Sequence, residues 1–174
     1  LNGLKKGLKY DKIFTRKVGA PMEILVTSDL HRQVDILATL MKRHPQAQLF
    51  LDAGDSERHD FELEPFVTVK GNCDFFIKNK RRIIPLGNHQ IYLFHGHFFP
   101  LNPNSLAALA KKNHCDIIIH GHTHRPYYLY HQGVHILCPG SPVFPRTKLG
   151  ATYALIYLTE AEVIVKIMKV NDEQ

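Results

Sequence analysis

A chain of 174 residues, 44% hydrophobic and 22% charged, is long enough for one domain with a buried core, and its composition excludes a disordered segment and a disulfide-stapled miniprotein. Its formal charge of +6, from 22 Lys and Arg against 16 Asp and Glu, would suit a phosphate-rich partner if it were spread over the fold. Six of the basic residues and one acidic residue fall in the first 21 positions, which leaves 16 against 15 for the rest, so nucleic acid is not the expected partner.

Residues 1–21 carry Lys5, Lys6, Lys9, Lys12, Arg16 and Lys17 with no continuous apolar stretch. They read as a basic extension outside the fold, with a functional basic arm as the alternative, and residues 22–174 read as a single domain. Met22 to Ser28 is a short apolar run of buried-strand type. Val34 to His44 places Val34, Leu37, Leu40 and Met41 at helical spacing and stops at Pro45. Further strands are expected at Gln48 to Asp52 and Phe66 to Lys70. Arg82 to Leu86 and Gln90 to Phe94 flank Gly87-Asn88, a hairpin signal. Asn104 to Asn113 reads as a second helix, and Asp116 to Ile119 as a buried strand. Strands at Tyr127 to His131, Val134 to Cys138, Ala151 to Leu158 and Val163 to Val170 complete the chain. Helices and strands alternate early and strands dominate late, which points to an α/β sandwich of mixed sheets. Cys73, Cys115 and Cys138 are widely spaced with no CxxC pair, so a reducing cytoplasm is expected. No apolar run approaches the length of a membrane span.

Five of these strands end in polar clusters: Asp29-Leu30-His31, Asp52-Ala53-Gly54-Asp55, Gly71-Asn72-Cys73-Asp74, His95-Gly96-His97 and His122-Thr123-His124. In open α/β sheets ligands sit beyond the carboxyl ends of strands. In extended backbone, residues two apart face the same side, which would let Asp29 and His31 share a site and His122 and His124 face one cavity. Imidazoles, carboxylates and one amide oxygen together are the donor set of first-row divalent metals. Seven such groups exceed one tetrahedral ion and fit two ions that share a carboxylate. The 12 histidines are thus a stronger clue than the charge.

This ordered set, with Gly121 and Pro139-Gly140-Ser141, resembles the calcineurin-like metallophosphoesterases, and more closely their small phosphodiesterase branch of YfcE type, over Met22 to Val170. The resemblance implies a four-layer α/β/β/α sandwich of two mixed sheets. It implies that Asp29, His31, Asp55 and His124 hold one divalent ion, and that Asp55 bridges to a second held by Asn72, His95 and His122. Manganese is the expected metal, with iron, zinc, nickel or cobalt as alternatives. The implied reaction is hydrolysis of a small phosphoester by in-line attack of a hydroxide shared by the ions. Asp55, Asn72 and His95 would be central to that chemistry.

Cys73 stands where many superfamily members place a proton-donating His, though the closer branch commonly shows Gly-Asn-Cys-Asp. The substitution should favour substrates with good leaving groups. Arg32 replaces a usual Gly and is either a phosphate-facing cation or a solvated arginine. His97 is expected behind the ligands or lining the pocket, His120 as a core histidine, and Phe98-Phe99 as core packing, with a wall of the pocket as the alternative. His44, His59, His89, His114, His131 and His135 read as surface or loop residues. Asp52 is expected to bond locally behind Asp55, and Asp74 to cap the segment after it. The alternative function is a non-catalytic protein-interaction scaffold of the retromer-subunit type, disfavoured because every ligand position carries a competent residue. Related small phosphodiesterases often assemble, so a homo-oligomer is a further expectation.

Overall fold

Side-chain alternation along the strands separates the chain into layers. In β1 (Met22–Thr27), Ile24 and Val26 enter one core while Leu25 enters another, as a period of two requires. β9 (Thr152–Leu158) does the same, with Ala154 and Ile156 on one face and Tyr153 and Leu155 on the other. β5 (His89–Phe94) and β6 (Ile117–Ile119) send Ile91, Leu93, Ile117 and Ile119 to the core shared with β1 and β9, and Tyr92, Phe94 and Ile118 away from it. The shared core therefore lies between two sheets, and each sheet has a second apolar face to cover.

The remaining strands are β2 (Leu49–Asp52), β3 (Val67–Thr68), β4 (Arg81–Leu86), β7 (Tyr127–His131), β8 (Val134–Cys138) and β10 (Val163–Lys169). One sheet has the order β10-β9-β1-β2-β3 and the other β4-β5-β6-β8-β7. Both mix parallel and antiparallel pairs. α1 (Asp35–Arg43) packs Leu37 and Leu40 against Leu25, Tyr153 and Leu155 on the outer face of the first sheet. α2 (Pro103–Lys112) packs Leu106, Ala107 and Ala110 against Tyr92, Phe94, Ile118 and Ile136 on the second. Full burial of each of these leucine side chains contributes roughly 1.5–3 kcal/mol. The result is the expected four-layer α/β/β/α sandwich. The computed structural model describes residues 21–172, so the expected N-terminal extension lies, except for Pro21, outside the described residues.

Local chemistry sets the helix ends. Asn102 caps α2 by accepting the Ser105 N–H at 3.0 Å, with Pro103 in the first helical turn, where its missing N–H costs nothing. Lys42 and Arg43, and Lys111 and Lys112, occupy the last turns and complement the helix dipoles. The expected strand from Phe66 to Lys70 is only two residues long, because β3 is an edge strand paired to β2 at Val67 and Thr68 alone. A 3-10 turn at Asp60–Leu63 carried no apolar periodicity by which to predict it.

β1, β2 and β3 run parallel, as do β5, β6 and β8. Their carboxyl ends carry the segments that begin at Asp29, Ala53, Gly71, His95, His120 and Pro139, which gather along one edge of the sandwich.

Candidate metal centre

The segment after β1 lies along the segment after β2. The backbone N–H groups of Asp29, His31 and Arg32 donate to the carbonyls of Gly54, Asp55 and Ser56, each at 2.9 Å. This pairing forces left-handed backbone on residues that rarely adopt it: φ is 58° at Asp29, 41° at His31, 72° at Arg32, 58° at Asp55 and 56° at Glu57. His122 and His124, at 70° and 56°, do likewise after β6. The extended backbone expected at Asp29 to His31 and His122 to His124 is therefore absent. Strain of this kind, of order 1–3 kcal/mol per residue, persists where surrounding structure over-determines it and clusters at functional sites.

Asp29 is completely buried, and Asp55, His95 and His124 nearly so. Asp29 Oδ1 lies 3.3 Å from His124 Nε2 and 4.0 Å from His95 Nε2. Asp55 Oδ2 is 3.3 Å from His95 Nε2, and its Oδ1 accepts the Cys73 N–H at 2.7 Å. His31 Nε2 faces His124 Nε2 at 3.3 Å. Asn72 Oδ1 lies 3.2 Å from His95 Nε2, while its amide donates to Cys73 Sγ at 3.2 Å. Three donor groups result, each with its ligand atoms within 4.8 Å of one another: Asp29, His31 and His124; His31, Asp55 and Cys73; Asp29, Asp55 and His95. His122 joins none of them by its ring. Its backbone N–H donates to both Asp29 oxygens at 3.2 and 3.1 Å, and its imidazole packs against His95 with centroids 5.3 Å apart.

The remaining ring nitrogens fix which atoms face the centre. His124 Nδ1 donates to the Phe144 carbonyl at 2.7 Å, His95 Nδ1 to the Ala53 carbonyl at 2.7 Å, and His31 Nδ1 to the Glu57 carboxylate at 2.9 Å. Each partner is an acceptor, so Nδ1 carries a proton and Nε2 turns inward, as an N–H toward the carboxylates when the ring is protonated and as a lone pair open to a cation when it is neutral. In the neutral rings the lone pairs of His31 and His124 thus face each other beside buried carboxylates, an arrangement that needs a cation or extra protons between them. Burial alone would lower the basicity of His95, but the Asp55 hydrogen bond and the Asp29 and Asp55 charges outweigh it and raise it. At His124 burial is likewise outweighed by the hydrogen bond and charge of Asp29. At Asp55 burial opposes ionisation, yet contact with His95 holds the carboxyl well below the usual range.

Two glycines let the segments approach this closely. A Cβ on Gly71 would lie 2.0 Å from Asp55 Oδ1, and one on Gly121 would lie 1.8 Å from Ser28 Oγ, the hydroxyl that donates to Asp29 Oδ2 at 2.7 Å. Ser141 Oγ holds the other side of the site by donating to the Asp29 carbonyl at 2.8 Å.

Several residues outside the donor groups depart from expectation. Asp74 caps backward, not forward: its carboxylate accepts the N–H groups of Asp55, Glu57 and Gly71 at 2.8, 2.7 and 2.8 Å. Asp52 bonds as expected to Thr27, Thr68 and Gly54, and burial pushes its carboxyl up to about 7 against those bonds. Arg32 is exposed and pairs with Glu57 at 2.9 Å. Glu57, unmarked in the sequence reading, therefore holds both His31 and Arg32. His97 packs against Phe98 with the rings tilted and centroids 4.3 Å apart, and its Nδ1 is buried without a partner. Phe98 itself is 94% exposed instead of core, and only Phe99 packs onto Phe94. His120 is the expected core histidine, bonded to the Gly121 carbonyl and the Tyr127 hydroxyl. His44 is buried under α1 against Tyr153 and Glu23, not on the surface. Cys138 is buried and bonds Thr123.

A two-sheet sandwich with buried carboxylates and inward-facing imidazoles at its parallel strand ends defines a metallophosphoesterase. The pattern of the calcineurin-like phosphoesterase superfamily domain matches residues 22–161, and the chain belongs to that family as a metal-dependent phosphoesterase. It is 34% identical over 144 residues to the probable metallophosphoesterase YsnB of Bacillus subtilis, covering 79% of this chain and 85% of that protein. It is 26% identical over 150 residues to the phosphodiesterase YfcE of Escherichia coli, covering 79% and 77%. A predicted phosphoesterase from Streptococcus pneumoniae superimposes with a TM-score of 0.80 at 29% identity, covering 90% of this chain and 94% of that one. Among the described residues, no helix is long and apolar enough to cross a membrane.

Proposed function

We propose that the chain hydrolyses small phosphodiesters with two divalent ions, one at Asp29, His31, Asp55 and His124 and one at Asp55, Asn72, His95 and His122. The observation that carries this is the pair of inward Nε2 atoms on His31 and His124 beside buried Asp29, with a second imidazole and carboxylate, His95 and Asp55, next to them. Asp55 shares one donor group with His31 and another with His95, the position a bridging carboxylate needs. Two divalent cations supply activation of water near neutral pH and neutralisation of charge on the phosphoryl oxygens. The mixed nitrogen and oxygen donors suit manganese, with iron, zinc, nickel and cobalt as competitors. A metal-competent residue at each of the seven positions weighs against a scaffold that binds only protein.

The side chains hold this arrangement in register. Asn72 turns its oxygen toward the centre because Cys73 Sγ takes its amide hydrogen. Burial, then the Asp55 charge, push the Cys73 thiol up to about 11, so it stays protonated and is a weak acid toward a leaving group. Esters whose leaving group departs without a proton, such as aryl esters, are the expected substrates. With added manganese the protein is expected to hydrolyse bis(p-nitrophenyl) phosphate, and a chelator should abolish turnover. Metal-independent hydrolysis, or none with any of the five metals, would overturn the proposal.

Glu57 fixes the His31 ring and supplies negative charge to its Nδ1–H. Glu57→Gln is expected to weaken manganese binding by roughly 10- to 100-fold without altering the fold, measured by equilibrium titration of metal into the apoprotein.

A further inference from the structure

Beside His31 and His124 the surface forms an open depression of about 500 Å³ lined by those two imidazoles and by Val143, Phe144, Pro145 and Arg146. That volume is in the range of small-ligand sites. The segment that walls it is fastened to the centre at several points. Ser141 Oγ accepts the N–H groups of Val143 and Phe144 at 3.3 and 2.8 Å. The Phe144 carbonyl takes the His124 Nδ1–H, and the Arg146 N–H donates to the His124 carbonyl at 3.2 Å. On this fixed backbone the Phe144 side chain remains 43% exposed and Arg146 is exposed. The Phe144 ring meets His31 edge-on, with centroids 5.6 Å apart. The ion pairs of the described residues engage Arg32 and Arg58 but not Arg146.

These bonds fix the backbone that carries Phe144 and Arg146 beside His31 and His124, and Phe144 and Arg146 both line the depression there. The ring offers a flat apolar face, and the guanidinium offers paired donors of the geometry that recognises phosphoryl oxygens. The depression is open to solvent and not enclosed, which suits the face of a planar group better than an acyl chain. We propose that this depression seats the ester group that stays on phosphorus, with Phe144 as its stacking face and Arg146 on a phosphoryl oxygen, so that the substrates are phosphodiesters whose retained ester carries a planar ring, such as the base of a nucleoside, while the other ester is the one that departs without a proton. The inference rests on the phosphodiesterase reading above and adds the residues that set its specificity.

The test is equilibrium titration of the manganese-loaded full chain with thymidine 5′-monophosphate and with methyl phosphate, beside turnover of bis(p-nitrophenyl) phosphate. Stacking on one aromatic ring should make the thymidine ligand bind about tenfold more tightly than methyl phosphate. Phe144→Leu should erase most of that advantage, and Phe144→Tyr should keep it. Arg146→Met should weaken both ligands alike, with partial recovery in Arg146→Lys. Equal binding of the two ligands by the wild type overturns the proposal. So does an advantage that survives Phe144→Leu, or a uniform loss of both ligands in that variant. Absence of turnover while the thymidine advantage persists would instead overturn the phosphodiesterase reading and leave the depression's preference standing.

Discussion

Asp55→Asn is expected to lower manganese-dependent turnover of an aryl phosphodiester roughly a thousandfold and to reduce the metal bound per chain. The substitution keeps the shape of the side chain and changes its chemistry at one atom. In the wild type Oδ1 accepts the Cys73 N–H, and Oδ2 faces His95 Nε2 at 3.3 Å. An asparagine that still accepts from Cys73 must turn its amide hydrogens toward His95, which places a donor where a cation is proposed to bind. It also removes the negative charge shared between the two donor groups. Thermal denaturation supplies a readout independent of catalysis. Manganese should raise the melting temperature of the wild type by mass action, and that increment should shrink in the variant. His124→Ala removes one inward lone pair and should act in the same direction. Unchanged turnover in both variants would overturn the two-ion assignment.

Without metal, the same carboxylate carries a pH dependence. Its folded pKa is depressed by His95, so the stability it contributes is present above the unfolded carboxylate pKa and is lost as pH falls toward the lower folded value. His95 has the opposite sign. Its folded pKa is raised, so its contribution is present below the unfolded imidazole value and is lost as pH rises through the folded one. The apoprotein should therefore resist unfolding best between these two titrations.

The layers of the fold were legible because they depend on a period-two pattern. Ile24, Val26, Ala154 and Ile156 alternate with Leu25, Tyr153 and Leu155 in the sequence as they do across the sheet. The position of the site was legible because a parallel sheet directs its functional residues to the strand ends. The local backbone there was not. Asp29 and His31 look like two residues of an extended segment, and only bonds to Gly54, Asp55 and Ser56, about 25 positions away, impose the left-handed turn. Glu57 and Arg146 escaped notice for the same reason: each meets its histidine through tertiary contact, without a spacing signal. Asp74 reads in the sequence as a forward cap because a carboxylate after a turn can cap in either direction, and the approach of Asp55 and Glu57 turns it backward. Phe98 belongs to an apolar pair of which only one member has room in the core.

Gly71→Ala tests whether that tertiary fit, as distinct from the donor atoms, builds the centre. The substitution removes no proposed ligand. Its Cβ would stand 2.0 Å from Asp55 Oδ1 and 2.5 Å from Asp55 N, closer than any packed carbon atom allows. Neither neighbour can yield cheaply: the Asp55 N–H is held by Asp74, and so is the Gly71 N–H. Relief must come from moving the Asp55 carboxylate or the turn that carries Asn72. Overpacking of this kind costs typically about 1–3 kcal/mol, which at this chain length lowers the melting temperature by roughly 2–4 °C per kcal/mol. Turnover should fall nearly as far as in Asp55→Asn, since a small displacement of positioned groups is enough to disable a reaction. Gly133→Ala separates strain from site geometry. Gly133 has φ +80° with nothing within 4 Å of its added Cβ, in the turn between β7 and β8, so it should lose about 1–2 kcal/mol of stability and keep its activity. If Gly71→Ala loses stability to the same extent but turns over substrate like the wild type, the contact between that turn and Asp55 is packing alone, and the centre tolerates more movement than its left-handed backbone implies.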